Sequence, residues 1–322
     1  MLFQHSNAKH YNQHLTRNHQ QGVVIVVALF IVALVATIAY VMMARLERDT
    51  RRTMLLSRDT QAEMYSQGSV MWAMDQLRND WEKRKANQPV DATPIKSPIK
   101  NEGSYQIAST IYDMQARYNL NNVTTPEAQA DFKRMLKAVI PKISEQQAIQ
   151  IAQALNDWIS LNSQQNEFSK YYLQLPKPYR PGHQPMLSTS ELRLVKGVTA
   201  DIFNALKPYI TALPPPTVIN FHNASAEAMV TLNSSMTLEA AKMVEQLCRT
   251  APPVSTQAFL NLDVVKNHHI ASEKITVTSS YFLVETNVTI ENQHNVLYTL
   301  LERTTNAQQA SVRIVWQSKG IW

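Results

Sequence analysis

Cysteine and glycine are scarce in this sequence, and each scarcity argues against a class of protein. The 322 residues include one cysteine, Cys248, and six glycines. A single thiol forms no internal disulfide and excludes zinc or iron–sulfur sites built from several cysteines. Because Cys248 lies in a helical pattern, we predict a buried thiol rather than a nucleophile. So few glycines argue against a nucleotide-binding enzyme with a Gly-rich loop.

Familiar catalytic motifs are also missing. The sequence contains no Gly-x-Ser-x-Gly, His-Glu-x-x-His or P-loop pattern. The neighbouring histidines His268 and His269 point apart, and no acidic partner is evident for either. We therefore predict that the protein is not an enzyme.

The basic residues are not gathered into a patch. The net charge is +6, from 31 Lys and Arg against 25 Asp and Glu. A nucleic-acid-binding protein clusters such charges on one face or helix. Here they are scattered, and the densest group, within residues 45–52, is interleaved with Glu47 and Asp49. The charge predicts a solvated surface, and we expect no nucleic-acid partner.

One long apolar run stands near the N-terminus. Residues 23–44 carry no charge, glycine or proline. As a helix this run would be roughly 33 Å long, enough to cross a bilayer core. The apolar part of a secretory signal is shorter, about 7–15 residues, and a small-residue cleavage site follows it. The run from Val23 to Ala44 therefore predicts a transmembrane helix.

A polar leader precedes this run and ends at Gly22. Residues 1–22 contain Lys9 and Arg17 but no acid. A cut after Gly22 would remove the leader and leave Val23 at the start of an intact membrane helix, which is the type IV prepilin arrangement. Positive charge alone does not favour a cytoplasmic N-terminus, because more Lys and Arg follow the run than precede it. We give the leader more weight, because a peptidase at the cytoplasmic face must reach residue 22.

The rest of the chain predicts an α+β fold. Its long N-terminal transmembrane helix is expected to pack on an antiparallel sheet, with a large all-helical insertion. Helix starts are marked at Thr125, Ser144 and Ser188. Strands are predicted at 105–112 and 217–220, and three or four antiparallel strands after Ile275. Loops are predicted at 88–101 and 160–186, one long helix at 23–85, and further helices at 199–210, 224–233 and 237–249.

These elements predict five regions. They are a leader (1–22), a transmembrane helix (23–44), a helix stem with the first strand of a head (45–112), a helical insertion (113–212) and the rest of the head (213–322).

Several stretches in order resemble the K-type minor pseudopilins of type II secretion systems. They are residues 115–122 (QARYNLNN), 155–159 (LNDWI), 179–181 (YRP), 185–195 (PMLSTSELRLV) and 217–226 (TVINFHNASA). Together with the leader, the likeness extends over nearly the whole chain. It implies a pilin-like head with a helical insertion, a single inner-membrane span and a periplasmic C-terminal head.

The resemblance also implies partners. These are I- and J-type minor pseudopilins in a tip complex, the major pseudopilin, and the prepilin peptidase that cuts after Gly22. Most pilins carry Glu at the fifth position after the cut, where this chain has Val27. K-type proteins characteristically lack that Glu. A tip subunit has no subunit above it whose N-terminal amine a carboxylate could neutralise. An intramembrane carboxylate would therefore only cost energy.

Relatives of this type often bind calcium in an acidic loop after the Asp-Trp pair. This chain keeps Asp157 and Glu167, but Ser160 and Asn162 stand between them. Calcium takes several oxygen ligands, mostly carboxylates. Asp157, Asn162 and Glu167 could therefore bind calcium only weakly, and a plain polar loop is the favoured interpretation.

A competing hypothesis concerns DNA. Residues 191–206 resemble a helix-hairpin-helix, in which a glycine turn aims backbone N–H groups at phosphate. A membrane-anchored DNA-binding or DNA-uptake protein is therefore the alternative function. The turn contains only one glycine, Gly197, so a helical pair packed into a core is favoured.

Overall fold

The computed structural model describes residues 19–85, 94–102, 105–161, 167–306 and 309–320. The chain divides into two compact units, Met1–Gln61 and Ala62–Trp322. Helix α1, His19–Lys85, supplies all the described residues of the first unit and the start of the second. Among the described helices, α1 alone is long and apolar enough to cross a membrane. The predicted helix over 23–85 is confirmed.

The second unit contains a six-stranded antiparallel sheet. Its strands are β1 (Ile95–Lys96), β2 (Lys100–Glu102), β3 (Tyr105–Asp113), β8 (Tyr281–Ile290), β9 (Gln293–Thr305) and β10 (Ala310–Lys319). Strands β1, β3, β8, β9 and β10 lie side by side in that order, and β2 pairs with β3. Register pairs such as Ile111 with Val284 and Val284 with Thr299 fix which side chains share a face.

One face of the sheet packs on the second-unit part of α1. Alternate residues of a strand point to the same face, so Phe282 and Val284 of β8 face the helix together. They form one buried cluster with Val70, Ala73 and Leu77 of α1. Burying each large apolar side chain contributes about 1.5–3 kcal/mol. The α+β class, with a long N-terminal helix and an antiparallel sheet, is confirmed.

The helices between the strands begin at side-chain caps. The Thr125 hydroxyl accepts a hydrogen bond from the N–H of Ala128, with Pro126 at the first helical position. Ser144 caps the next helix in the same way. These helices are α2 (Pro126–Val139), α3 (Glu145–Ile159), α4 (Glu167–Leu173), α5 (Ala200–Leu206), α6 (Ala226–Met229), α7 (Leu238–Thr250) and α8 (Thr256–Leu260).

Helices α2 to α8 share one hydrophobic core. Its buried residues run along the chain from Tyr118 to Ile275. Two short parallel strand pairs lie among these helices: β4 (Tyr118–Asn119) with β5 (Ile210–Thr211), and β6 (Ile219–Asn220) with β7 (Ile275–Thr276). The boundary between the helical insertion and the rest of the head, at residues 212 and 213, stays a prediction. Helices α6–α8 pack with the helices that precede this boundary.

Several element predictions were wrong. The loop at 88–101 contains β1 and β2, whose two or three residues are too few to alternate visibly; residues 86–93 lie outside the described residues. The loop at 160–186 contains α4, which covers only two turns. The predicted helix start at Ser188 is confirmed, and the helix that begins there is the 3-10 helix Thr189–Leu194. The strand at Ile275 pairs with β6 outside the main sheet, because side-chain pattern does not specify a partner strand.

Candidate functional site

The predicted processing and membrane residues all lie in α1. Val23 is 64% exposed and Val27 is 50% exposed. The other large apolar side chains along 23–43 are exposed as well. Exposing such a run to water is unfavourable at about 25 cal/mol per Å² of apolar surface. The Thr37 hydroxyl donates to the Ala33 carbonyl at 2.7 Å, so this polar group is satisfied within the helix. An apolar helix with internally paired polar groups suits lipid.

Gly22 lies within the helical span of α1, directly before Val23. Ala44 ends the apolar run and is half-buried. Cleavage after Gly22 stays a prediction.

The proposed calcium ligands are only partly described. Asp157 is buried at the end of α3, and the Ser169 hydroxyl donates to its Oδ2 at 3.5 Å. Asn162 lies outside the described residues, and Glu167 is the first residue of α4. The described part of the chain has no group of three His, Cys, Asp or Glu side chains that could hold a metal ion. One buried carboxylate does not meet the needs of a hard cation, so calcium stays a prediction.

An aromatic cluster beside Asp157 brings three of the motif stretches together. The Trp158 ring packs edge-on against Tyr172 and Tyr179, with centroids 5.5 and 6.2 Å away. Its Nε1–H donates to Glu191 at 3.5 Å. The Tyr179 hydroxyl donates to the Leu194 carbonyl at 2.8 Å. Residues from 155–159, 179–181 and 185–195 therefore act as one packing unit.

Three buried or half-buried asparagines join the stretch 115–122 to distant segments. Asn119 accepts from the N–H of Leu213 and donates to its carbonyl, both at 3.0 Å. Asn121 accepts from the N–H of Met186 at 2.7 Å and donates to the carbonyls of Met186 and Leu213 at 2.9 Å. Each side-chain amide thus accepts from a backbone N–H and donates to a backbone carbonyl, as the backbone of a neighbouring strand does.

Asn122 pairs in the same manner with Thr217, accepting from its N–H at 3.2 Å and donating to its carbonyl at 2.7 Å. Gln115 donates to the Val218 carbonyl at 3.0 Å and accepts from the N–H of Tyr281 at 3.3 Å. The sequence pattern marked this stretch as a motif but gave no partner for any amide. Such buried amides cost free energy unless paired, so the network fixes how these segments meet.

A buried ion pair, also missed from the sequence, joins α1 to β9. Arg303 is 2% exposed, and its Nη1 donates to Asp80 Oδ2 at 2.6 Å and to the Leu77 carbonyl at 3.0 Å. Its Nη2 donates to the Ser279 carbonyl at 2.9 Å. The guanidinium carbon lies 4.8 Å from the centre of the Phe282 ring. Burial lowers the pKa of Arg303, against the raising effect of Asp80.

The structure does not favour the DNA-binding alternative. At the turn of residues 191–206, the N–H of Lys196 donates to the Tyr172 hydroxyl at 3.0 Å. The N–H of Val198 donates to the Val195 carbonyl at 3.1 Å. The ammonium of Lys196 lies 4.5 Å from the centre of the Tyr171 ring. Two N–H groups of this turn and the Lys196 ammonium are therefore engaged within the chain.

The histidine pair shows two separate environments. Nδ1 of His268 lies 3.0 Å from the Ser235 hydroxyl. His269 has a left-handed backbone with φ 48° and ends the short helix Lys266–His268. His268 is half-buried, whereas His269 is exposed.

Comparison with known proteins gives one consistent family. A family model described as type II secretion system protein K matches residues 116–215. The type II secretion system protein K of Klebsiella pneumoniae is 27% identical over 93% of this chain and 98% of its own length. That of Pseudomonas aeruginosa is 25% identical over 94% of each chain. The Aeromonas hydrophila protein is 29% identical, but the match spans 61% of this chain and 64% of the relative.

A solved structure has the same fold. The GspK–GspI–GspJ complex of the enterotoxigenic Escherichia coli type 2 secretion system contains a chain that matches with a TM-score of 0.69. The match covers 84% of this chain and 99% of that chain, at 23% identity. At that identity the likeness concerns the fold.

Proposed function

The chain belongs to the family of type II secretion system protein K, and from this we propose that it is the minor pseudopilin at the tip of the secretion pseudopilus. The observation that carries the proposal is the alignment with the Klebsiella pneumoniae protein, which extends over 93% of this chain. A match of that extent includes the apolar helix as well as the head. Members of this family are components of a secretion apparatus, and we propose no catalytic role for this chain.

In this proposal the chain assembles with I- and J-type minor pseudopilins. The fold match to a chain of the GspK–GspI–GspJ complex supports these partners. The complex starts a fibre of the major pseudopilin, and growth of that fibre pushes folded exoproteins across the outer membrane.

We place the protein in the bacterial inner membrane with a single span. Residues 23–44 form the span, residues 1–22 the leader, and the head lies in the periplasm, comprising residues 45–112 and 213–322 with the insertion 113–212. The exposed apolar surface of α1 supports the span. Val27 places no carboxylate in the membrane, which suits a subunit that has no other subunit above it.

Processing is proposed between Gly22 and Val23 by a prepilin peptidase. The test is the N-terminal sequence of protein recovered from membranes with and without that peptidase. We expect a start at Val23 only when the peptidase is present. An intact Met1 in both strains would contradict the processing proposal.

The function itself is tested by secretion. In a bacterium whose protein K gene has been deleted, this chain is expected to restore folded exoproteins to the medium. A Gly22→Val variant, made at the same level, should stay in the membrane uncut and restore little secretion. Normal expression of the wild-type chain without any gain in secretion would contradict the proposed function.

A further inference from the structure

At the contact between Asp80 and Arg303, two buried polar atoms have no hydrogen-bond partner among the described residues. We propose that one water molecule binds there and completes a hydrated ion pair that joins α1, β9 and the segment before β8. The inference concerns a binding site within the head and does not depend on the proposed function.

The hydrogen bonds around the ion pair support this water site. Arg303 donates from both terminal nitrogens, but its Nε has no acceptor among the described residues. Asp80 Oδ2 accepts from Arg303 and, at 3.0 Å, from Arg84, whereas Oδ1 has no donor among the described residues. Asp80 is 8% exposed and Arg303 is 2% exposed. Leaving a buried charged group without its partner costs more than losing an ordinary hydrogen bond.

The available space also fits one water molecule. Asp80 and Arg303 line one cavity of about 10 Å³. A cavity of about 10–15 Å³ is the smallest that holds a buried water. The space between these two residues therefore suits one water.

The charges that line the cavity favour a neutral molecule. Two carboxylates, Asp80 and Asp113, and two guanidiniums, Arg84 and Arg303, line the cavity. Their formal charges cancel, so neither an anion nor a cation is favoured over a neutral molecule. A water can donate to Asp80 Oδ1 and accept from Arg303 Nε–H. These bonds give it two of the two to four partners that buried waters have.

The hydrated pair continues into a second polar cluster. The Ser279 carbonyl accepts from Arg303, and the Ser279 hydroxyl accepts from Asn220 at 2.8 Å. Asn220 also donates to Asp113 Oδ2 at 3.0 Å. One chain of hydrogen bonds thus connects α1, β9, β6 and β3. Residues from both ends of this chain, Asp80 and Asp113, line the cavity.

The direct test is NMR of the full-length protein in detergent micelles, labelled with ¹⁵N-arginine. The Nε–H resonance of Arg303 is assigned by its loss in Arg303→Lys. At a pH where guanidinium exchange is slow, we expect a cross-peak between this proton and a long-lived water. Arg313, which is mostly exposed, is the control in the same spectrum and should show only short-lived water contacts. A resolved Arg303 resonance without the water cross-peak would overturn the proposal.

A second measurement does not depend on that resonance. In Arg303→Met a buried carboxylate loses its partner, so amide exchange of residues 77–84 should accelerate by about 100-fold or more. The double variant Asp80→Leu with Arg303→Met removes both charges and should recover most of the protection. Arg313→Met should change exchange by less than about twofold. Equal effects of Arg303→Met and Arg313→Met would contradict the buried site.

Discussion

Replacing Asn121 by alanine tests whether the amide network holds the helix-rich core together. Asn121 is 2% exposed and makes three side-chain hydrogen bonds to backbone, two with Met186 and one with Leu213. The Leu213 carbonyl also accepts from Asn119 at 3.0 Å, so it keeps a partner in the variant. The N–H and carbonyl of Met186 lose the partner that the side chain supplied.

The magnitude follows from those two groups. Each buried backbone group left without its partner costs about 1–3 kcal/mol. The expected loss in the free energy of unfolding is therefore about 2–6 kcal/mol. A loss near the middle of that range is a large fraction of the 5–15 kcal/mol of a typical folded protein.

Denaturant unfolding of the full-length protein, followed by tryptophan fluorescence, measures this loss. Trp158 belongs to the same buried core as Met186, whose backbone pairs with Asn121. The control is Asn79→Ala, the same chemical change at an exposed residue with one hydrogen bond to Asp75 at 3.0 Å. It should cost less than about 0.5 kcal/mol. Equal losses in the two variants would refute the role of the network.

Three further predictions concern charge, reactivity and backbone. The two lysines paired with Glu145 lower the pKa of its carboxyl from 4.5 to about 2, so its contribution is present above pH 4.5 and lost as the pH falls towards 2. Denaturant titrations should therefore separate Glu145→Gln from wild type at pH 6 but not near pH 2. Burial raises the pKa of the Cys248 thiol to about 11, so thiol reagents at pH 8 should label it only on unfolding; rapid labelling of the folded protein would contradict this. Gly197 has φ +87°, and an added Cβ would lie 3.1 Å from Ile151, so Gly197→Ala should lower the stability of the folded protein by about 1–3 kcal/mol. Gly68→Ala, in an open helical position, should raise it by up to about 1 kcal/mol. Thermal melts in which both variants shift in the same direction would contradict a left-handed backbone at Gly197.

Elements with a long side-chain pattern or a local capping residue were predictable from the sequence. The apolar run over 23–44 lies within one long helix, and α2 and α3 begin directly after the cap residues Thr125 and Ser144. These features depend on local chemistry. Strands β3, β8, β9 and β10 alternate over nine or more residues, so their pattern was also visible. The short strands β1 and β2 exist through backbone pairing with β3, and side-chain pattern does not report such pairing.

The polar contacts were not predictable, because their partners lie far apart along the chain. Arg303 is separated from Asp80 by 223 residues, and no local pattern distinguishes it from a surface arginine. The stretch 115–122 could be recognised as a motif, but its asparagines pair with backbone at residues 186, 213 and 217. Single-sequence patterns describe helices and strands, whereas these contacts depend on the assembled fold.

In the proposed function this chain is the K-type member of a minor pseudopilin complex. A tagged full-length chain can be purified from membranes that also contain the I- and J-type minor pseudopilins, and the mass of the intact assembly can then be determined. We expect both partners to be recovered with the chain in one complex of defined composition. Recovery of the chain alone, with both partners present and folded in the same membranes, would contradict it.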